Sequence, residues 1–498
     1  MLKAIPVLAA LAVASGVPVR AQQRGPETID SLALKAHTWF LSHDLLMGRG
    51  TGTTGSLVAA HYLAAAAEQA GLTGAGPRGS YFQPVPLVDA AIDTSATMLT
   101  LTDLSGSSTW RTPAAFIPNV GTLTTLTGFT GELAWVGSAA DVRARPAQLP
   151  PLEGRVALMA GLFGADAAAA DTLQARGVTG VVHLVGDDDV YQLYVRSRGS
   201  SRMFVADSAT ISSFIPGIPS LIVRAGLARR LLAGVRGEDE LQRPFVLAGR
   251  RVDVRVRVQT SAVPERNVMA VLQGSDARLR DEYVVYTAHY DHLGIGEPDQ
   301  RGDSIYNGFS DNAAGSAMLL ALAQHLVAHR PQRSVLFIWF TGEERGLLGS
   351  DYFAAHPVVP PARIAGVINL DAGAPPAPSV QWRVSGGDRS ALGPIALEVA
   401  RDAGWEAQTS PASPNTDYFP FLRLGVPAVF LVPGPGAFEG LTTDSSMALR
   451  RRWDHYHQAA DEWSANYPFA GLVRYADFAL RLGLRIASGP LLPRVPAP

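Results

Sequence analysis

The chain has no cysteine. Disulfide staples, thiol nucleophiles and cysteine-held zinc are therefore excluded, and stability must come from the core and any bound metal. Lysine is nearly absent as well: Lys3 and Lys35 are the only two, and arginine carries the remaining basic charge. The formal net charge is only −2, which gives no electrostatic case for nucleic acid or an anionic membrane as partner. No stretch is apolar over the ~20 residues that a membrane-spanning helix needs. No repeat of fixed period is visible. Neither Ser316 nor Ser350 lies in a G-x-S-x-G elbow, which disfavours a serine hydrolase.

What is present is 498 residues, 47% hydrophobic and 17% charged. That is the balance of a soluble globular protein, long enough for two or more domains. The first residues read as a signal peptide. Lys3 gives the basic start, Ile5 to Val17 the apolar stretch, and Val19-Arg20-Ala21 the small residues of a cleavage site after Ala21. Residues 1–21 are thus expected to be removed, leaving a periplasmic or extracellular protein with no membrane attachment.

From Glu27 to about Leu72 the apolar spacing is helical, broken by GRGTGTTG at Gly48 to Gly55. That loop lacks the ending and the preceding strand of a phosphate loop, so a turn near the site is expected. From Tyr81 to about Val258, short β-like runs alternate with Gly/Pro turns and two Ala-rich helical pieces. His183 stands alone in one such run and reads as a core residue. After Pro264 an α/β rhythm resumes. The division expected is 22–119 and 261–490 for one α/β domain, 120–260 for an inserted β-rich module, and 491–498 for a tail.

The informative stretch is Glu282 to Asp371. Three Val/Ile/Phe-rich runs end in His289 and Asp291, in Glu343 and Glu344, and in Asp371, with Asp311 just before an Ala/Leu-rich helix. The carboxyl ends of strands in an open α/β sheet are where ligands and catalytic groups gather. Taken singly, each feature has a plainer reading: an H-x-D at a strand end, an acidic pair at a helix start, an Asp as N-cap. His289, Asp311, Glu344, Asp371 and His457 together supply two imidazoles and three carboxylates, the donors that a pair of divalent ions about 3.5–4 Å apart requires. Asp291 could hold the His289 ring through its other N–H. Glu343, beside a ligating Glu344, is placed to act as general base. The donors would accept zinc, manganese or cobalt alike.

AHYDHLG, SDNAAG, TGEERGLLGS, NLDAG and YHQAAD, with site residues separated by 22, 33, 27 and 86 positions, resemble the co-catalytic zinc peptidases of family M28. That family includes secreted aminopeptidases and glutamate carboxypeptidases. GRVALMAG, GVTGVVHLVG and IPSLIVRAG resemble the protease-associated (PA) domain often inserted in them. The resemblance implies a phosphorylase/hydrolase-like three-layer α/β domain with a mixed central sheet. It implies two Zn2+, one held by His289 and Asp371, the other by Glu344 and His457, with Asp311 bridging, and Glu343 as base. It also implies a cis peptide after Asp311 and exopeptidase action on a peptide substrate, for which the amino end is the first expectation. The chain departs from the pattern at Ser310-Asp311, where the family has an acidic pair. Its oxyanion tyrosine has only Tyr418 and Tyr456 as candidates. His292 and His455 read as loop residues or supports of their ligating neighbours. The alternatives are a dipeptidase or glutamate carboxypeptidase activity at the same site, a one-zinc glutaminyl cyclase, and a non-catalytic binding protein.

Overall fold

The computed structural model describes residues 29–163, 167–198, 201–213, 215–235, 237 and 239–496; the expected signal segment, 1–21, lies outside them. Its larger sheet is built from β1 (Phe82–Ile92), β2 (Ser201–Val205), β3 (Val258–Leu272), β4 (Tyr283–His289), β5 (Ser334–Phe340), β6 (Ile364–Asn369), β7 (Gln381–Ser385), β8 (Glu406–Ser410) and β9 (Ala428–Pro433). Their order is β8-β7-β9-β6-β4-β5-β3-β1-β2, and Thr73–Gly74 adds a short tenth strand against β3. Pairing is parallel around β4, with β5 on one side and β6 on the other, and antiparallel from β5 through β3 to β1 and β2. The sheet is therefore mixed.

Strands covered on both faces read as unbroken apolar runs, and every residue of β5, SVLFIWF, is buried. Val335, Phe337 and Trp339 join a cluster with residues of the helices α1 (Ser31–Leu41), α2 (Thr54–Gln69), α3 (Ala314–Ala328) and α4 (Ala470–Ser488). Leu336, Ile338 and Phe340 join another, with Phe353 and Phe421. The period-2 alternation of a strand thus feeds two cores, each buried side chain contributing about 1.5–3 kcal/mol over exposure. α3 is buried along most of its length, which its all-round apolar sequence requires.

A second sheet takes its eight strands from between Met98 and Arg255. It has cores of its own, one around Leu133, Trp135, Leu158 and Val252 and another around Val136, Met159 and Leu173. This part of the chain lends β2 to the edge of the larger sheet. It is also pinned to the rest of the chain at Asp351, which accepts hydrogen bonds from the Ser213 N–H (2.7 Å) and hydroxyl and from Arg423 Nη1 (3.4 Å). Burial pushes that carboxyl up to about 7. His183 is a core residue, its Nδ1 against Gly161 O at 2.9 Å, and burial holds its pKa down to about 4. Among the described residues no helix is long and apolar enough to cross a membrane.

Candidate metal centre

Register explains why the site assembles where it does. His289, the last residue of β4, pairs with Phe340, the last of β5, and Thr287 pairs with Asn369 at the end of β6. The turn carrying Glu343 and Glu344 and the residue Asp371 therefore leave the sheet level with His289, at the carboxyl edge of three adjacent parallel strands. Asp311 arrives from the irregular turn Phe309–Ala313 before α3, whose Asp311–Asn312 peptide is cis. Gly315 lets that turn close on β6: a Cβ there would meet Leu370 O at 2.2 Å. His457 comes from a loop near the end of the chain at φ 57, a left-handed conformation that costs a non-glycine residue of order 1 kcal/mol.

The side chains form two groups sharing Asp311. Asp311 Oδ1 lies 3.2 Å from His289 Nε2, which also has Asp371 Oδ1 at 2.8 Å. Asp311 Oδ2 lies 3.0 Å from His457 Nε2, which has Glu344 Oε2 at 3.4 Å. One carboxylate thus turns an oxygen toward each group. All five expected ligands come together, and His292 joins the second group. Imidazole and carboxylate donors suit zinc. Separations of 2.8 to 3.4 Å between these atoms bracket the edge of about 3.3 Å in a tetrahedron with bonds of 2.0–2.1 Å. His457 Nε2 is buried, and its contacts lack hydrogen-bond alignment, as suits a lone pair aimed between two carboxylates rather than at either.

Around these donors lies a shell that keeps them in place. The His289 ring is held by Asp291, but through its main-chain carbonyl, 3.0 Å from Nδ1. This corrects the expected carboxylate contact, for Oδ1 stands 3.7 Å away. The Asp291 carboxylate instead accepts the Thr51 hydroxyl at 2.7 Å and the Glu343 N–H at 3.2 Å, fixing the backbone of the candidate base. Asp371 accepts from the Thr416 hydroxyl, which itself accepts from Asn369 Nδ2 at 2.8 Å. Asp461 accepts from Ser310 N–H and Oγ at 3.0 and 2.9 Å and from Asp311 N–H at 3.3 Å. A carboxylate from the other end of the chain thus anchors the Ser310-Asp311 pair.

Arg49 is buried behind the site. It donates from Nε to Tyr290 O (2.8 Å), from Nη1 to Leu41 O and Asn307 O (2.6 Å to the latter), and from Nη2 to Gly308 O (3.0 Å). One guanidinium ties together the segments that carry Asp291 and Asp311. Its loop closes only because Gly48 has no side chain: a Cβ would meet Gly294 O at 2.4 Å and Tyr306 O at 2.5 Å, and φ is +68. Burial lowers the Arg49 pKa to about 10, with Asp311 and Asp291 acting against that, so it stays charged at neutral pH. Of the two tyrosines considered, Tyr418 is fully buried and its hydroxyl accepts the Ser413 N–H at 2.7 Å. Tyr456 is exposed and stacks on His457, ring centroids 3.8 Å apart.

Electrostatics follow from crowding acids out of water. Burial, then repulsion from Asp371 and Asp417, raises Glu343 well above the usual carboxylate range. Burial likewise pushes Asp417 up to about 8 and Asp291 to about 6. Burial also acts to raise Asp311, but contacts with His289 and His457 outweigh it and hold the carboxyl far below its ordinary value. Contact with Asp311, then Glu344, raises His457 to about 10.

Residues 267–482 match the model of peptidase family M28. A probable zinc metalloprotease of Pyrenophora teres f. teres (strain 0-1) is 36% identical over 104 residues, 21% of this chain and 22% of the relative. Leucine aminopeptidase 2 of Trichophyton equinum is 27% identical over 223 residues, 41% of each. The chain spans about a fifth to two fifths of the length of these curated relatives. Among solved structures, the aminopeptidase from Aneurinibacillus sp. strain AM-1 superposes with a TM-score of 0.53 at 18% identity, covering 93% of this chain and 96% of that one. It shares the fold.

Proposed function

We propose, on the match of residues 267–482 to peptidase family M28, that the chain is a two-zinc aminopeptidase of this family. The observation that carries this reading is Asp311, with one oxygen toward His289 and the other toward His457. His289 and Asp371 would hold one ion, Glu344 and His457 the other. A bound ion pair would supply Lewis acidity at the scissile carbonyl and ease ionisation of the attacking water.

The rest is the work of this chain's side chains. Glu343 lies inside the cluster, 3.9 Å from His289 Nε2, and belongs to neither ligand group. It takes a proton from the attacking water and returns it to the leaving amine. Its raised pKa suits a group that must both accept and give a proton near neutral pH. Asp291 fixes it through its N–H.

Amino-end selection fits the surplus of carboxylates, which attract an ammonium group. Recognition of a carboxylate end would call for a free guanidinium. Arg49 gives its donors to main-chain carbonyls, Arg301 pairs with Asp299 and Glu462, and Arg423 donates to Ile211 O and Ser213. The relative named leucine aminopeptidase 2 points the same way. The second sheet we take as a PA domain, on GRVALMAG and IPSLIVRAG. The protein would act outside the cytoplasm, on Lys3, Ile5 to Val17 and Ala21.

The test is a mass-spectrometric time course on mixed peptides, half with blocked amino ends and half with amidated carboxyl ends. Stepwise loss from free amino ends supports the reading. Loss from free carboxyl ends would keep the centre and overturn the substrate assignment. Intact peptides throughout would turn attention to cyclisation or binding.

A further inference from the structure

One buried imidazole stands in the centre without a place among the five ligands. His292 lies three residues beyond His289, its main-chain N–H donated to Arg49 O at 3.2 Å. Its Nδ1 is 2.7 Å from Glu344 Oε1 and 3.7 Å from Asp311 Oδ2. Its Nε2 is buried and has no hydrogen-bond partner among the described residues. The ring lies flat against Gly308, where a Cβ would meet its Cγ and Cδ2 at 2.6 Å, so its orientation is set by packing.

Two roles are open to such a ring: a further ligand, or a holder of one. A ligating histidine almost always donates its other ring N–H to an acceptor. His289 does so, with Nδ1 on Asp291 O and Nε2 toward the carboxylates. His292 has no protein acceptor at Nε2. Its contact with Glu344 has hydrogen-bond length.

We infer that His292 is a positioning residue. Its Nδ1–H is donated to Glu344 Oε1 and turns Oε2 toward His457 and the second ion. The two outer carboxylates then have matching supports, Thr416 on Asp371 and His292 on Glu344. His292 governs affinity for one ion of the pair and leaves the other to Asp371. The inference rests on the two-metal reading.

The test is calorimetric zinc titration of metal-stripped wild type, His292→Ala and His292→Asn, with a crystal structure of the zinc-loaded wild type. The wild type should take up two ions. His292→Ala should weaken one site by about 10- to 100-fold and spare the other. His292→Asn, whose amide N–H can replace Nδ1–H, should recover most of the loss. In the zinc-loaded crystal, Nδ1 should remain on Glu344, outside bonding distance of either ion. Wild-type affinity at both sites in His292→Ala would overturn the assignment. So would a zinc–Nδ1 bond of about 2.0–2.1 Å, an observation that does not depend on whether a variant folds. Wild type binding fewer than two ions would overturn the two-metal reading, and this assignment with it.

Discussion

Loading the centre with zinc should expel protons, at least one from each of the two ligating rings. In the metal-free protein at pH 7, His457 is protonated because Asp311 and then Glu344 raise its pKa to about 10. His289 is protonated as well: burial opposes this, but Asp371 and Glu343 outweigh it. A metal accepts only the neutral imidazole, so each ligating ring must give up its proton. Because both pKa values are raised, the competing protons are present at pH 7 and lost only at higher pH. Zinc affinity should therefore climb with pH and level off as the His457 value is passed. Two released protons correspond to a combined binding constant that rises about 100-fold per pH unit around neutrality. Calorimetry at pH 7 in two buffers of different ionisation enthalpy reads the proton count directly, and at least two protons per pair of ions are expected, with Asp371 and Glu343, both raised by burial, able to add to them. No proton release, or a combined constant that stays flat between pH 6 and 8, would refute the arrangement of rings and carboxylates described here.

Arg49→Met would leave the carbonyls of Leu41, Tyr290, Asn307 and Gly308 without their donor. At about 1 kcal/mol each, urea denaturation should show a loss of about 4 kcal/mol. Arg49→Lys should recover only part, because lysine lacks the planar fork. Thr51→Val removes one of two hydrogen bonds to the Asp291 carboxylate. Steady-state kinetics should show kcat/KM reduced by about five- to tenfold, equivalent to about 1 kcal/mol, with zinc content unchanged. Asp351→Asn weakens the junction with Ser213 and Arg423, so amide exchange should quicken across residues 206–213 while peptide turnover holds.

His289, Glu344 and Asp371 were legible as candidate ligands because each follows an apolar run, and the parallel register of β4, β5 and β6 brings such ends to one edge; Asp311 was marked by the helix that follows it. His457 is marked only by its YHQAAD setting. The supporting shell was not legible. Thr51 lies 240 positions from Asp291, and Arg49 lies 258 from Asn307. No periodicity reports contacts at that separation. The Gly-rich run around Arg49 reads in the sequence as a turn near the site, and Gly48 is where that turn needs a glycine. Asp291 shows the finer limit. The sequence places it beside His289, but whether its carbonyl or its carboxylate meets the ring depends on Thr51 and Glu343, which take the carboxylate. Likewise, the acid facing Ser310 is Asp461, the last residue of YHQAAD, whose partner 151 positions away the motif does not report.

The central claim is that zinc and Glu343 act together, with Glu343 a base and not a ligand. The measurement that tests it most directly is zinc content and peptide turnover of Glu343→Gln beside wild type. The account predicts two ions retained and kcat lowered by about 10²- to 10⁴-fold, the usual worth of a general base. Turnover near the wild-type rate with both ions bound would contradict it, as would loss of an ion in step with the activity.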